Sequence, residues 1–225
     1  MLDALKRYPV TFGLIALNLI AFAVEALQSH PFSPQSLVDL GATYGWLIAA
    51  KGEWWRIVTG TFLHGGLTHI GLNMFSLYIV GKVTEELFGR GEYLLLYLAS
   101  GIAGAALSVA IHPDGLSVGA SGAIFGIFGA IAGYALAHRH RLGERFKRFM
   151  REFGAVLGLN LVLGFTIPGI DMSAHIGGLI VGLVGGYLSR YPRAVWGWTL
   201  LVLALAFGYV TLFFPATFAP QGLMR

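Results

Sequence analysis

Apolar residues fall along this chain in long blocks separated by short polar stretches. The blocks are Tyr8 to Leu27, Ile57 to Val80, Tyr93 to Ile111, Ser117 to Ala137, Phe153 to Ile167, Ser173 to Leu188 and Ala194 to Phe214. Runs of this length fit a helix crossing a hydrocarbon core about 30 Å thick, so the pattern predicts seven membrane-spanning helices. The expected fold class is all-α, a polytopic membrane helix bundle forming a single transmembrane domain over residues 1–225. The first block has Lys6-Arg7 ahead of it and Ala21-Phe22-Ala23 within it, as a cleaved signal peptide would. It continues to Leu27, however, which predicts a retained first helix.

Composition strengthens the membrane assignment: 56% of the 225 residues are hydrophobic and 12% charged, and the mean hydropathy of +0.71 exceeds that of a soluble domain. The 32 glycines would weaken isolated soluble helices, but in lipid they let helix backbones approach closely, which predicts a tight bundle. With no cysteine in the chain, disulfides, thiol nucleophiles and cysteine metal sites are excluded.

Charge sets the expected orientation. With the N-terminus inside, the inner segments hold Lys6, Arg7, Lys82, Arg90, Arg139, Arg141, Arg145, Lys147, Arg148, Arg151, Arg190 and Arg193, leaving Lys51, Arg56 and Arg225 outside. That bias predicts an inner N-terminus and an outer C-terminus, most simply in the plasma (cytoplasmic) membrane. The formal +4 charge is then loop bias rather than a nucleic-acid footprint, and the run Arg139 to Arg151 is expected against anionic lipid headgroups of the bilayer.

Polar residues inside spans are costly and mark functional candidates. The second block contains His64, His69 and Asn73, the fourth contains Ser121, and the sixth contains His175. Even-numbered spans all run from outside to inside, so these residues gather near the outer ends of three helices. His69 and Asn73 are four apart and share a helix face, whereas His64 points about 140° away on the same wheel and is expected to brace the preceding loop.

Ser121 sits between Gly119-Ala120 and Gly122. A serine in the first helical turn lies beside backbone N–H groups without intrahelical partners, which favour negative charge. Small neighbours let substrate and a second helix approach. Ser121 therefore reads as a nucleophile, His175 as its general base, and His69, Asn73 and the Ser121 amide as donors to a tetrahedral oxyanion. An α/β-hydrolase elbow is excluded because position 123 is Ala and no strand is expected before the serine. His64 and His69 lack the spacing of a helical zinc motif and carboxylate ligands are expected to be missing from the outer halves of the spans, so neither a metal nor a cofactor is expected. Asp171, one turn before His175, reads as a helix cap rather than a third acid.

At these positions the chain resembles the rhomboid family of intramembrane serine proteases. The resemblance is carried by Trp55-Arg56, by His64 with His69 and Asn73, by Glu85 with Gly89, by Tyr97 and Gly101, by Gly119-Ala120-Ser121-Gly122, and by Ala174-His175 with Gly178 and Gly182. It implies a Ser121/His175 dyad, an oxyanion hole from the Ser121 amide, His69 and Asn73, and tight packing of span six on span four at Gly178 and Gly182. It also implies cleavage of single-span transmembrane proteins near their outer ends. Phe125 stands where many bacterial members carry tyrosine, so stacking on the histidine is retained and a phenol hydroxyl is lost. The seventh helix, 194–214, resembles the extra span that some members add to the six-helix core, here 8–190.

The loop Gln28 to Trp55 is apolar enough to suggest partial immersion in the outer leaflet. Span five, short and containing Gly154, Gly158 and Gly164, is expected with the loop Thr166 to Met172 to form the gate and cap. The competing class is a non-proteolytic client-binding protein or a transporter. A transporter predicts repeated halves, and a client-binding relative predicts loss of Ser121 or His175; the chain shows neither feature.

Overall fold

Lipid offers no water to the backbone, so a run of apolar residues satisfies its N–H and C=O groups by coiling into a helix. The computed structural model describes residues 2–166 and 169–217, and the protein is an all-α membrane helix bundle. Its main helices are α1 (Pro9–Ala26), α2 (Leu67–Ile111), α3 (Ser121–Ala137), α4 (Glu144–Thr166), α5 (Met172–Tyr187) and α6 (Pro192–Gly208). Among the described residues, four helical stretches are long and apolar enough to cross a membrane: Pro9–Ala26, Leu67–Ile111, Met172–Arg190 and Arg193–Phe213. Ser121–Ala137 is a shorter apolar helix. The expected end of span five at Ile167, Pro168 in the cap loop, and Arg225 lie outside the described residues.

The second and third predicted spans are the two arms of α2, joined at Gly89. Its φ of 75° and ψ of 174° break the helical path in a region that favours glycine. Beside that corner, the Glu85 carboxylate accepts hydrogen bonds from Val10 N–H at 3.0 Å, Thr11 N–H at 2.9 Å and Thr11 Oγ1 at 2.8 Å. These are donors that the start of α1 would otherwise leave unpaired in a buried place.

Helices α3 and α5 form the tightest seam. A Cβ placed at Gly178 would overlap Gly122 O, one at Gly182 would overlap Gly126 O, and one at Gly186 would overlap Ala130 O. Glycine every fourth residue puts one bare stripe on α5, and the backbones touch along it. This seam holds the first turns of the two helices side by side.

Three expectations change. The second helix starts at Leu67 rather than Ile57, because Arg56–Thr59 is a separate helical turn followed by a tight 3₁₀ turn at Gly60–Phe62. The fifth helix is not short: it runs from Glu144, since Phe146, Phe149, Met150 and Phe153 turn inward while Lys147, Arg148 and Arg151 face out on the same spiral. A strand does precede Ser121, because β2 (Leu116–Ser117) pairs antiparallel with β1 (Thr43–Tyr44) in the first loop. It is two residues long and leads into Gly119-Ala120 rather than directly into a nucleophile turn.

The first loop owes much of its apolar character to packing. Leu37 and Ala42 meet Leu63. Ile48 and Ile57 join Ile102, Ala105 and Val109 of α2 and Val210 and Phe214 of the C-terminal helical extension. Trp54 meets Phe207 of α6 edge to face, while Trp54 and Trp55 remain partly exposed.

Candidate active site

Ser121 is the first residue of α3, so its N–H has no acceptor within the helix. Its hydroxyl lies 2.7 Å from His175 Nε2. His175 is in the first turn of α5 and 7% exposed, and the glycine seam is what brings the two turns together. Phe125, one turn into α3, stacks on the imidazole with ring centroids 4.3 Å apart and planes 9° from parallel. The ring is thus held by a hydrogen bond at one edge and an aromatic face below.

Among the described residues, no carboxylate bonds to His175. Asp171 is the N-cap of α5, accepting from Ala174 N–H at 3.0 Å with Oδ1 and from Ser117 Oγ at 2.5 Å with Oδ2. His175 Nδ1 is buried without a hydrogen-bond partner among the described residues. When Nε2 accepts from Ser121, Nδ1 carries the proton.

Across from the dyad, Gly119 adopts φ +123°, and a Cβ there would stand 2.7 Å from His69 Nε2 and 3.6 Å from Asn73 Nδ2. Both polar ends therefore crowd the backbone that leads into Ser121. Asn73 Nδ2 is buried with no partner among the described residues. A hydrogen-bond donor left idle in a buried place is a cost, unless it is needed for something that arrives later. Gly65 N–H donates to His69 Nδ1 at 3.4 Å, which leaves the proton on Nε2, the atom facing Gly119.

His64 lies in the turn before α2 and not on the helix, so the wheel angle expected between it and His69 does not apply. Their rings meet edge to face at 5.0 Å. His64 braces this turn: Nδ1 donates to Phe62 O at 3.1 Å, and its backbone N–H lies 3.0 Å from each Glu25 oxygen. Gly122 packs on Ala174, and Gly178 and Gly182 lie in the seam beneath the dyad. Trp55 and Arg56 stand apart from it. Arg56 bonds Glu53, Val38 O and Ala42 O and lies over the Trp55 ring, tying the first loop to itself.

Sequence reasoning overlooked Thr11, Asn18 and Glu25 of α1, all fully buried. A signal was present: they recur every seven residues, two helical turns, and so form one polar stripe on an otherwise apolar helix.

A family model described as "Rhomboid domain" matches residues 51–192. The chain is 38% identical over 209 residues to "Rhomboid protease GluP" of Bacillus subtilis (strain 168), a match covering 89% of this chain and 39% of that protein. It is 34% identical over 186 residues to "RHOMBOID-like protein 6, mitochondrial" of Arabidopsis thaliana, covering 81% of this chain and 60% of that one. It is 31% identical over 188 residues to "Putative rhomboid protease YdcA" of Bacillus subtilis (strain 168), covering 83% and 89%. The chain therefore spans about two fifths of the first relative and three fifths of the second.

Proposed function

The chain belongs to the rhomboid family, and from that premise we propose that it is an intramembrane serine endopeptidase working through a Ser121/His175 dyad. The observation that carries the proposal is the 2.7 Å contact between Ser121 Oγ and His175 Nε2. In the first step, His175 Nε2 takes the hydroxyl proton as Ser121 Oγ adds to the scissile carbonyl carbon. The carbonyl oxygen, now negative, is received by the Ser121 amide, His69 Nε2–H and Asn73 Nδ2–H. His175 then returns its proton to the leaving amine, and water repeats the sequence on the acyl-enzyme. Phe125 keeps the imidazole plane aligned, and the Asp171 cap holds the start of α5 without touching the ring.

The substrate class is a single-span transmembrane protein. Its own helix hides each scissile carbonyl in a hydrogen bond that lipid cannot replace, so the segment near the cut must unwind before attack. Orientation follows the positive residues, with the N-terminus inside and the dyad toward the outer face. Helix α4, which lies beside α3 and α5, is with the loop Thr166 to Met172 the gate and cap.

The test is labelling of the purified protein in detergent with a fluorescent serine-directed phosphonate, together with cleavage of a reconstituted single-span substrate. Ser121→Ala and His175→Ala are each expected to lose both signals while accumulating normally. Cleavage persisting at the wild-type rate in either variant refutes the proposal.

A further inference from the structure

Glu25 is the costliest member of the buried stripe on α1. It is a carboxylate, fully buried one residue from the end of an apolar helix, and such a group is retained in a membrane only with a task. No cation faces it among the described residues. Instead both oxygens lie 3.0 Å from one donor, His64 N–H.

That amide opens a chain of contacts leading into the candidate active site. Holding His64 N–H toward α1 fixes the peptide plane between Leu63 and His64. His64 Nδ1 also donates to Phe62 O at 3.1 Å, and the intervening Leu63 is buried against Leu37 and Ala42. With the turn clamped at both points, the next amide, Gly65 N–H, faces His69 Nδ1 at 3.4 Å. A nitrogen that accepts a hydrogen bond carries no proton, so the neutral ring must hold its proton on Nε2. Nε2 is the atom nearest the place of a Gly119 Cβ. The edge of the His64 ring against His69, 66° from its plane, restrains the ring from behind.

We infer that Glu25 is a positioning residue: through the 62–66 turn it holds His69 in the Nε2–H tautomer, aimed at the carbonyl oxygen of the bound substrate. The inference rests on the oxyanion role given to His69 above. It assigns to the first helix a part in catalysis made without contact to substrate. The alternative task for Glu25 is a plain tether between α1 and the bundle, which would affect stability and leave His69 chemistry alone.

Two measurements test the inference, and the second separates these tasks. The first uses the wild-type protein in detergent micelles with imidazole nitrogens labelled by ¹⁵N, the His69 signals being those missing from His69→Ala. A neutral ring with a protonated Nε2 and an unprotonated Nδ1 is expected; the Nδ1–H tautomer overturns the inference. It requires no activity, so the tautomer stands apart from the fate of the protease proposal, and a variant that fails to fold does not shield it.

The second is a cycle on turnover of a single-span substrate. Glu25→Leu is expected to lower kcat about 10- to 100-fold, the scale of a roughly 1 Å misplacement, with KM changed less than about twofold. In a His69→Ala background the same change should cost less than about twofold, because the group it positions is already gone. Glu25→Gln, whose amide oxygen still accepts from His64 N–H, should recover most of the lost turnover. Fully additive losses, or a Gln variant as impaired as the Leu variant, overturn the inference.

Discussion

Replacing Gly119 with alanine tests the oxyanion geometry through one methyl group. The new Cβ would lie 2.7 Å from His69 Nε2 and 2.8 Å from His69 Cε1, where ordinary contact begins near 3.4 Å, so the ring must retreat by about 0.7 Å. Asn73 Nδ2, at 3.6 Å, is touched but not displaced. A retreat of that size removes His69 from hydrogen-bond range of the developing oxyanion, with an expected loss of roughly 10- to 100-fold in kcat and little change in KM. The backbone adds its own cost, because φ of +123° is rarely adopted by alanine, and the strain is about 1 to 3 kcal/mol. The assay is steady-state cleavage of a single-span substrate in detergent, run beside thermal unfolding of the same preparation. Adding His69→Ala relieves the collision, so the double variant should regain part of the lost stability while kcat stays low. A Gly119→Ala protein with kcat within about twofold of wild type would refute the placement of His69 over the nucleophile turn.

Four further outcomes follow from the geometry. The His69→Ala/Asn73→Ala double variant should lose at least about 100-fold in kcat, the cost of one oxyanion donor; unchanged turnover would show that the idle Asn73 donor serves packing. Asp171→Asn should keep most activity, since Asn also caps helices and no carboxylate touches His175 Nδ1, and a loss matching that of His175→Ala would reveal a third acid. Gly182→Ala forces a Cβ onto the α3 backbone and should lower stability by about 1 to 3 kcal/mol in detergent unfolding; a neutral result would mean the seam is looser than described. In sealed vesicles, a tag after Arg225 should be reached by external protease only when the outer face is exposed, and a tag before Met1 only when the inner face is.

Apolar blocks were readable because lipid imposes helix on any long run of them, and so was the meeting of positions 121 and 175 at the starts of two helices. Joints were harder to see. Gly89 was visible as a glycine between spans, but the stripe of helix that continues on both sides of it was not, since a single backbone dihedral turns the chain without interrupting its apolar pattern. The start of α4 was misplaced because charged residues on an outward-facing spiral hide a helix from a hydropathy reading. Loop apolarity was ascribed to lipid, whereas Ile48 and Ile57 reach across sequence to Val210 and Phe214, a contact no local pattern records. Glu25 lies far from any glycine motif, and its mark in the sequence is the seven-residue spacing from Asn18 and Thr11.

The arrangement is consistent with the proposed dyad, which among the described residues has no carboxylate behind it. In a triad, an acid fixes the base histidine in its tautomer and stabilises the charge it acquires. Here orientation is supplied by other means: the Phe125 face, the Ser121 hydroxyl and the capped first turn of α5. Among the described residues nothing pairs with Nδ1, so in the proposed mechanism His175 would be a weaker base than a triad offers, and more of the barrier lowering would fall to the oxyanion side. There the proposed donors come from one helix, α2, and from the N-terminus of α3, and among the described residues Asn73 Nδ2 is buried without a partner, which costs about 1 to 3 kcal/mol for such an idle polar group. The proposed site is therefore expected to tolerate loss of Asp171 but not of the turn that aims His69, and that asymmetry would distinguish it from a triad in the same fold.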